Sequence, residues 1–144
     1  MKLKLIDPFV TRKSPSMRSI VASLDIILDV FNEVEVFATE CDWSHPRVKF
    51  REVPQRFKKW ILHSQDYSYK LRSMKVGGCG ARDEVVQVTG CYVPRADIRY
   101  MHFWNNALVQ EMSARPSFKL PLLNKIQSVI HARTERTVAR NPEN

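Results

Sequence analysis

The 144 residues predict an α/β domain layered around a mostly parallel sheet. Three observations carry that reading. Short alternating β-branched runs recur along the chain. Amphipathic runs of helical period separate them. The connections are long enough to cross over between parallel neighbours. The length suits one domain with one core, so residues 1–144 are read as a single unit.

The elements follow in order. "KLKLIDPFV" alternates, then turns at Pro8, as a first strand leading into a loop does. In "TRKSPSMRSIVASLDIILDVFN", Ser14 can cap and Pro15 suits the first helical position, while Ile20, Val21, Leu24, Ile27, Leu28 and Phe31 recur at helical spacing. "EVEVFATEC" is a second strand, and "HPRVKFREVP" a third with one wet side, stopped by Pro54. "QRFKKWILHSQDYSYKLRSMK" returns to helical period, with Phe57, Trp60, Ile61, Tyr67, Leu71 and Met74 on one side and cations over much of the rest. "VGGCGARD" is a loop by composition. "EVVQVTGCYV" and "ADIRYMHF" supply a fourth and fifth strand. "NNALVQEMSA" and "LPLLNKIQSVIHARTERTVARN" close the chain as helices, the latter with Leu122, Leu123, Ile126, Val129 and Ile130 as its expected buried stripe.

Composition bounds the function. Hydrophobic residues make up 44% and charged residues 26%, as in an ordinary folded domain. No window approaches the roughly 18 apolar residues of a membrane span, and Asp7-Pro8 interrupts the short apolar N-terminal run, so the expected location is cytosolic. Cys41, Cys79 and Cys91 are odd in number and lack paired spacing, which argues against a disulfide framework and a zinc site. The net charge of +8 favours an anionic partner: nucleic acid, acidic lipid or a phosphorylated small molecule.

In open parallel sheets ligands gather beyond the carboxyl ends of the strands. That rule directs attention to Pro8–Lys13, to Thr39–Asp42, and to His102 and Trp104 at the end of what reads as a central strand. Arg12, Lys13 and Arg18 cluster near a helix N-terminus, where amides and the dipole favour anions. An imidazole at His102 can accept or relay a hydroxyl proton near neutral pH. His45, His63 and His131 read as surface or helix residues. The acid pairs Glu33/Glu35 and Asp83/Glu84 read as solvated strand edges.

Other chemistries find little support. Gly77-Gly78-Cys79-Gly80 precedes a strand, whereas a dinucleotide fingerprint follows a strand and opens a helix; a mobile covering loop is the expectation. There is no phosphate-loop lysine motif and no nucleophile elbow. The basic stretch 55–75, with its interleaved aromatics, suits a packed helix with a cationic outer face. Contact with an anionic membrane or with nucleic-acid phosphates is the rival reading.

The order of elements, with "EVEVFATECD", "HPRVKFREVP" and "VVQVTGCYVPRADIRYMHF", resembles the N-terminal, acceptor-side half of the two-domain GT-B glycosyltransferases, family 4 in particular. Asp97 and His102 stand at the spacing of that family's Asp-x-x-x-x-His strand end, so the resemblance implies His102 as the acceptor-site histidine. It implies a Rossmann-like three-layer fold, a nucleotide sugar as co-substrate with no further cofactor, and a hydroxyl acceptor. Val10–Ser16 corresponds to the loop near the donor phosphates. Arg12, Lys13 and Arg18 would face the cleft, and Trp104 and Asn105 would shape the acceptor pocket. Two departures stand out. The first loop lacks the family's glycine, and no counterpart of the second, donor-binding domain lies within the 144 residues. The chain is therefore expected to be inactive alone and to need a donor-domain partner. A basic module that binds nucleic acid or a protein partner without catalysis is the alternative, although no recognised nucleic-acid motif supports it.

Overall fold

The structure, a computed structural model, describes residues 1–14, 17–57, 60–78, 81–100, 105–114 and 122–140. The chain divides into two units, Met1–Tyr100 and Met101–Asn144.

The first unit runs β1 (Lys2–Ile6), β2 (Phe9–Val10), α1 (Arg18–Ala22), α2 (Leu24–Val30), β3 (Glu33–Ala38), β4 (Glu40–Cys41), β5 (Val48–Glu52), α3 (Trp60–Ser73), β6 (Glu84–Thr89) and β7 (Ile98–Tyr100). Five strands make one sheet in the order β5-β3-β1-β6-β7, and each neighbouring pair is parallel. The chain steps outward from β1 through β3 to β5, then returns to the far side of β1 with β6 and β7. The reversal falls between β1 and β6, which makes their carboxyl ends the topological switch point of an α/β, Rossmann-like sheet.

Strand alternation sorts the two faces. Leu3, Leu5, Val34, Val36 and Ala38 point to one side, where Met17, Val21 and Leu28 from the α1–α2 segment cover them. Ile6, Phe37, Val53, Val86 and Val88 point to the other and pack on Tyr67 and Leu71 of α3. Helices on both faces complete the three layers. Burying a side chain of this size is worth about 1.5–3 kcal/mol, so the alternation alone fixes which face each strand presents.

Several expectations are corrected. The first long helix is broken: Ser23 sits at φ −99°, ψ 14°, and its amide bonds the Ile20 carbonyl at 3.1 Å, a tighter turn that separates α1 from α2. "EVEVFATEC" is two strands, because β4 leaves the main sheet to pair with β2. β6 ends at Thr89, before the expected Val93. Glu35 is not on a solvated edge. It is 7% exposed on interior strand β3, held by Lys2 Nζ and Arg51 Nε, each at 2.8 Å. Burial works to raise its carboxyl, yet those two cations hold it below the ordinary carboxylate range. The strand that carries "DIRY" is not central: β7 lies at the end of the sheet order, with Ile98 and Tyr100 exposed.

On α3 the buried line is His63, Ser64, Asp66, Tyr67 and Leu71, whereas Phe57 and Met74 are exposed. Phe57 lies outside the helix Trp60–Ser73. In the second unit, α4 (Asn105–Ala114) and α5 (Leu122–Arg140) pack on each other. α5 buries Ser128, Ala132 and Glu135 at i, i+4, i+7; of the stripe expected from hydropathy, Leu122, Ile126 and Val129 are exposed, Ile130 is half-buried, and the side chain of Leu123 lies outside the described residues. Among the described residues no helix is long and apolar enough to cross a membrane.

Candidate ligand site at the carboxyl edge of the sheet

β1 delivers the chain to the switch point at Asp7. The Asp7 amide donates to the Phe37 carbonyl at 3.2 Å. Its carboxylate accepts the Phe9 amide at 2.7 Å, a local turn two residues long. The same carboxyl hydrogen-bonds the hydroxyl of Thr89, the last residue of β6. Asp7 thus ties the two switch-point strands together. It is 3% exposed, and burial pushes its carboxyl up to about 7, against the opposing pull of the Phe9 amide and the Thr89 hydroxyl. Thr89 Oγ1 also lies 3.7 Å from Sδ of the fully buried Met17, which anchors the start of α1 here.

Beyond Asp7 the first loop is latched in place. The Pro8 carbonyl accepts the Thr39 and Glu40 amides at 2.8 and 3.2 Å, and β2 pairs with β4 in register Phe9↔Glu40, Val10↔Cys41. The Asp42 amide donates to the Val10 carbonyl, and Asp42 Oδ2 accepts the Arg12 amide, both at 3.0 Å. Ser14 closes a tight turn by donating its amide to the carbonyl and hydroxyl of Thr11. Arg12 and Lys13 therefore stand exposed at the tip of a braced turn. Arg18 is exposed at the start of α1. The expected helix-terminus contribution is not available in the form anticipated: α1 has five residues, and the Met17 and Arg18 amides already donate to the Ser14 carbonyl. Anion attraction at this loop rests on its side-chain cations.

α3 and the loop after β6 pack beside the first loop. The His63 ring stacks on Phe9 with centroids 5.1 Å apart, and burial lowers its pKa while Asp66 and Glu40 act to raise it. Tyr67 donates its hydroxyl to the Phe37 carbonyl at 2.5 Å and meets the Tyr92 ring edge-on at 5.0 Å. Burial raises both phenols, so both are neutral donors at physiological pH. Arg99 of β7 braces the loop, donating to the carbonyls of Gly90, Val93 and Pro94 at 2.6, 3.0 and 3.2 Å.

Of the residues singled out in the sequence, Arg12, Lys13 and Arg18 all lie in or beside the first loop of this edge. His102 and Trp104 lie outside the described residues. Asn105 opens α4, and its side chain is likewise outside them. Asp97, at the amino end of β7, accepts the Val86 amide at 2.7 Å and so serves strand pairing. Of the glycine cluster, Gly77 and Gly78 precede β6 at its amino edge, whereas Cys79 and Gly80 lie outside the described residues. Gly77 sits against Val93 and the Gly78 amide bonds the Arg95 carbonyl. Cys41 and Cys91 are not joined in a disulfide, and among the described residues no group of three His, Cys, Asp or Glu is placed to hold a metal ion.

Sequence reasoning missed Asp7, Thr89, His63 and Tyr92. Asp7 was legible as the first polar residue after an apolar strand. His63 stands four residues before Tyr67, on its helix line. Nothing local marked Thr89 or Tyr92.

No family model and no curated protein sequence matches the chain. Among solved structures it resembles WaaG, a glycosyltransferase involved in lipopolysaccharide biosynthesis, with a TM-score of 0.61 and 12% sequence identity. The likeness covers 92% of this chain and 35% of that one, so the chain spans about a third of its neighbour's length. At this identity the likeness is one of fold alone: an α/β, Rossmann-like architecture.

Proposed function

We propose that the chain is the acceptor-side half of an enzyme that transfers a sugar from a nucleotide sugar to an acceptor hydroxyl. The carrying observation is the pairing of a glycosyltransferase-like fold with the braced, exposed cations Arg12 and Lys13 at the switch-point edge. In this reading the acceptor oxygen bonds to the anomeric carbon as the bond to the nucleotide diphosphate breaks. The diphosphate leaves with the electron pair, and the acceptor proton passes to a base or to water. Arg12, Lys13 and Arg18 offset the charge that develops on the departing phosphates. His102 orients or polarises hydroxyls, and Trp104 and Asn105 shape the acceptor pocket. Asp7 positions the first loop through its bonds to Phe9 and Thr89. Most contacts to the nucleotide sugar come from a donor-binding domain, so the 144 residues alone have negligible transfer activity. The nucleotide sugar is a co-substrate, and the chemistry calls for no other cofactor.

A thermal-shift titration with UDP, GDP and their common sugars tests the donor side. Ligand at a hundred times its dissociation constant stabilises the folded state by about 2.7 kcal/mol. The expected result is a rise in Tm with ligand that vanishes in Arg12→Ala/Lys13→Ala. Stabilisation that survives in that variant refutes the loop's role. Absence of any nucleotide effect, with salt-sensitive retention on generic DNA or RNA, favours a nucleic-acid-binding module instead.

A further inference from the structure

At the root of the first loop three buried side chains stand in a row: Asp7 after β1, Thr89 from β6 and Met17 ahead of α1. They are 3%, 6% and 0% exposed. The Thr89 hydroxyl is the middle member. It bonds the Asp7 carboxyl on one side and lies 3.7 Å from Met17 Sδ on the other. A hydroxyl has a single hydrogen to give, so it donates to one neighbour at a time.

The charge on Asp7 decides which neighbour receives it. An ionised carboxylate only accepts: it takes the Phe9 amide at 2.7 Å and the Thr89 hydrogen. A protonated carboxyl has its own O–H to place in a dry site, where an unpaired donor is costly. The Phe37 carbonyl is already taken by the Asp7 amide and the Tyr67 hydroxyl, whereas Thr89 Oγ1 is in contact. Thr89 then turns its hydrogen to Met17 Sδ, a weak acceptor. Both arrangements keep each O–H paired, and the proton that separates them comes from solvent. The Phe9 amide keeps an oxygen in either state, but its bond to a charged oxygen is roughly twice as strong.

We infer that Asp7, Thr89 and Met17 form a two-position switch, in which a proton on the Asp7 carboxyl reverses the Thr89 hydroxyl, loosens the hold on Phe9 and carries the change to the start of α1. Burial places that carboxyl at about 7, so both positions are populated near neutral pH. The surrounding ionisable groups leave this window to Asp7. Tyr67 and Tyr92 sense its charge, and burial keeps both phenols neutral. His63, with Asp66 and Glu40 acting on it, meets the Phe9 ring, and burial lowers its titration below the ordinary histidine value. Cys91 stands beside Tyr92, and the first loop and α1 contribute Arg12, Lys13 and Arg18, with Asp42 bonded to the Arg12 amide. The switch deepens the proposed function, because the loop it holds carries Arg12 and Lys13, but it works with no ligand bound.

A ligand-free titration between about pH 5.5 and pH 8.5 tests it. The probes are the methionine methyl signals of the labelled chain, with Met17 identified by its loss in Met17→Leu, and exchange of the Phe9 amide. The expected result is one common step with its midpoint at about 7. Across it, going up in pH, the Phe9 amide gains about fivefold protection once intrinsic exchange is divided out. In Asp7→Asn both probes are flat through that window and hold their acid-side values, because the carboxamide donates to Thr89 as the protonated carboxyl does. Thr89→Val keeps the Phe9 step and loses the Met17 step, and Thr89→Ser restores both. A Met17 signal that ignores pH in the wild type, that moves equally in Asp7→Asn, or that still moves in Thr89→Val overturns the switch. The nucleotide titration is judged separately: a chain that switches but binds no nucleotide keeps this inference and loses the proposed function. Nucleotide binding with a pH-independent Met17 does the reverse.

Discussion

Replacing Asp7 by asparagine should make the protein more stable above neutral pH and change the shape of its pH profile. The carboxyl is 3% exposed, and burial moves its pKa from 3.8 to about 7. Between about pH 4 and pH 7 the folded chain holds a proton that the unfolded chain has released, so stability falls as pH rises through that window. Three pH units at 1.36 kcal/mol each give about 4 kcal/mol, fully expressed above pH 7 and absent below pH 4. Asparagine keeps an acceptor for the Phe9 amide, now at 2.7 Å, and carries no charge to desolvate. Glu33 and Glu35, with lowered pKa values, and His63, also lowered, contribute the opposite slope, but they do so in both proteins. The difference between variant and wild type thus isolates Asp7. Urea unfolding followed by circular dichroism at half-unit steps from pH 4 to pH 8.5 measures it. The reasoning fails if the difference is flat, or if wild type gains on the variant as pH rises.

Four further substitutions report on the packing beside the first loop and the frame behind it. Tyr67→Phe removes the hydroxyl bonded to the Phe37 carbonyl, which retains the Asp7 amide; a loss of about 1 kcal/mol in urea unfolding is expected. Gly77→Ala places a methyl 2.9 Å from Val93 Cβ at φ 110°, whereas Gly78→Ala, at φ 113°, meets nothing within 4 Å. The first should cost about 2 kcal/mol or more and the second about 1, a contrast read from paired thermal melts. Glu35→Gln should cost about 1 kcal/mol at neutral pH. Because the native carboxyl is held low, that cost is present above the unfolded pKa and fades as pH falls through the folded one.

How far these features could be read in advance depended on whether their cause was local. Leu3/Leu5 and Val34/Val36 alternate in sequence, and their faces followed directly. "NNALVQEMSA" is helical throughout, as its pattern indicated. The failures have non-local causes. Continuous periodicity hid the break at Ser23, because a bridge-region residue leaves no mark in hydropathy. Glu35 is buried since Lys2 and Arg51 arrive from neighbouring strands, and no single run reveals that company. β7 looked central because its flanks are apolar, yet position in a sheet is set by strand order. On α5, Leu122, Ile126 and Val129 are exposed while Ser128 and Ala132 are buried, a face that hydropathy alone did not mark. The carboxyl edge itself was legible from the alternation of strands and helices, and so were Arg12 and Lys13. Asp7 and Thr89 meet only because β1 and β6 are sheet neighbours, a pairing that connects distant parts of the chain.

The account's central claim is that a nucleotide sugar meets this chain at the carboxyl edge, around the first loop. Amide chemical-shift mapping of the isotope-labelled chain, titrated with UDP- and GDP-sugars, tests it most directly. The account predicts saturable shifts grouped at Phe9, Arg12, Lys13, Asp42 and Gly90, diminished in Arg12→Ala/Lys13→Ala. Shifts grouped instead at the amino edge, around Gly77, Gly78 and Asp83, would contradict it.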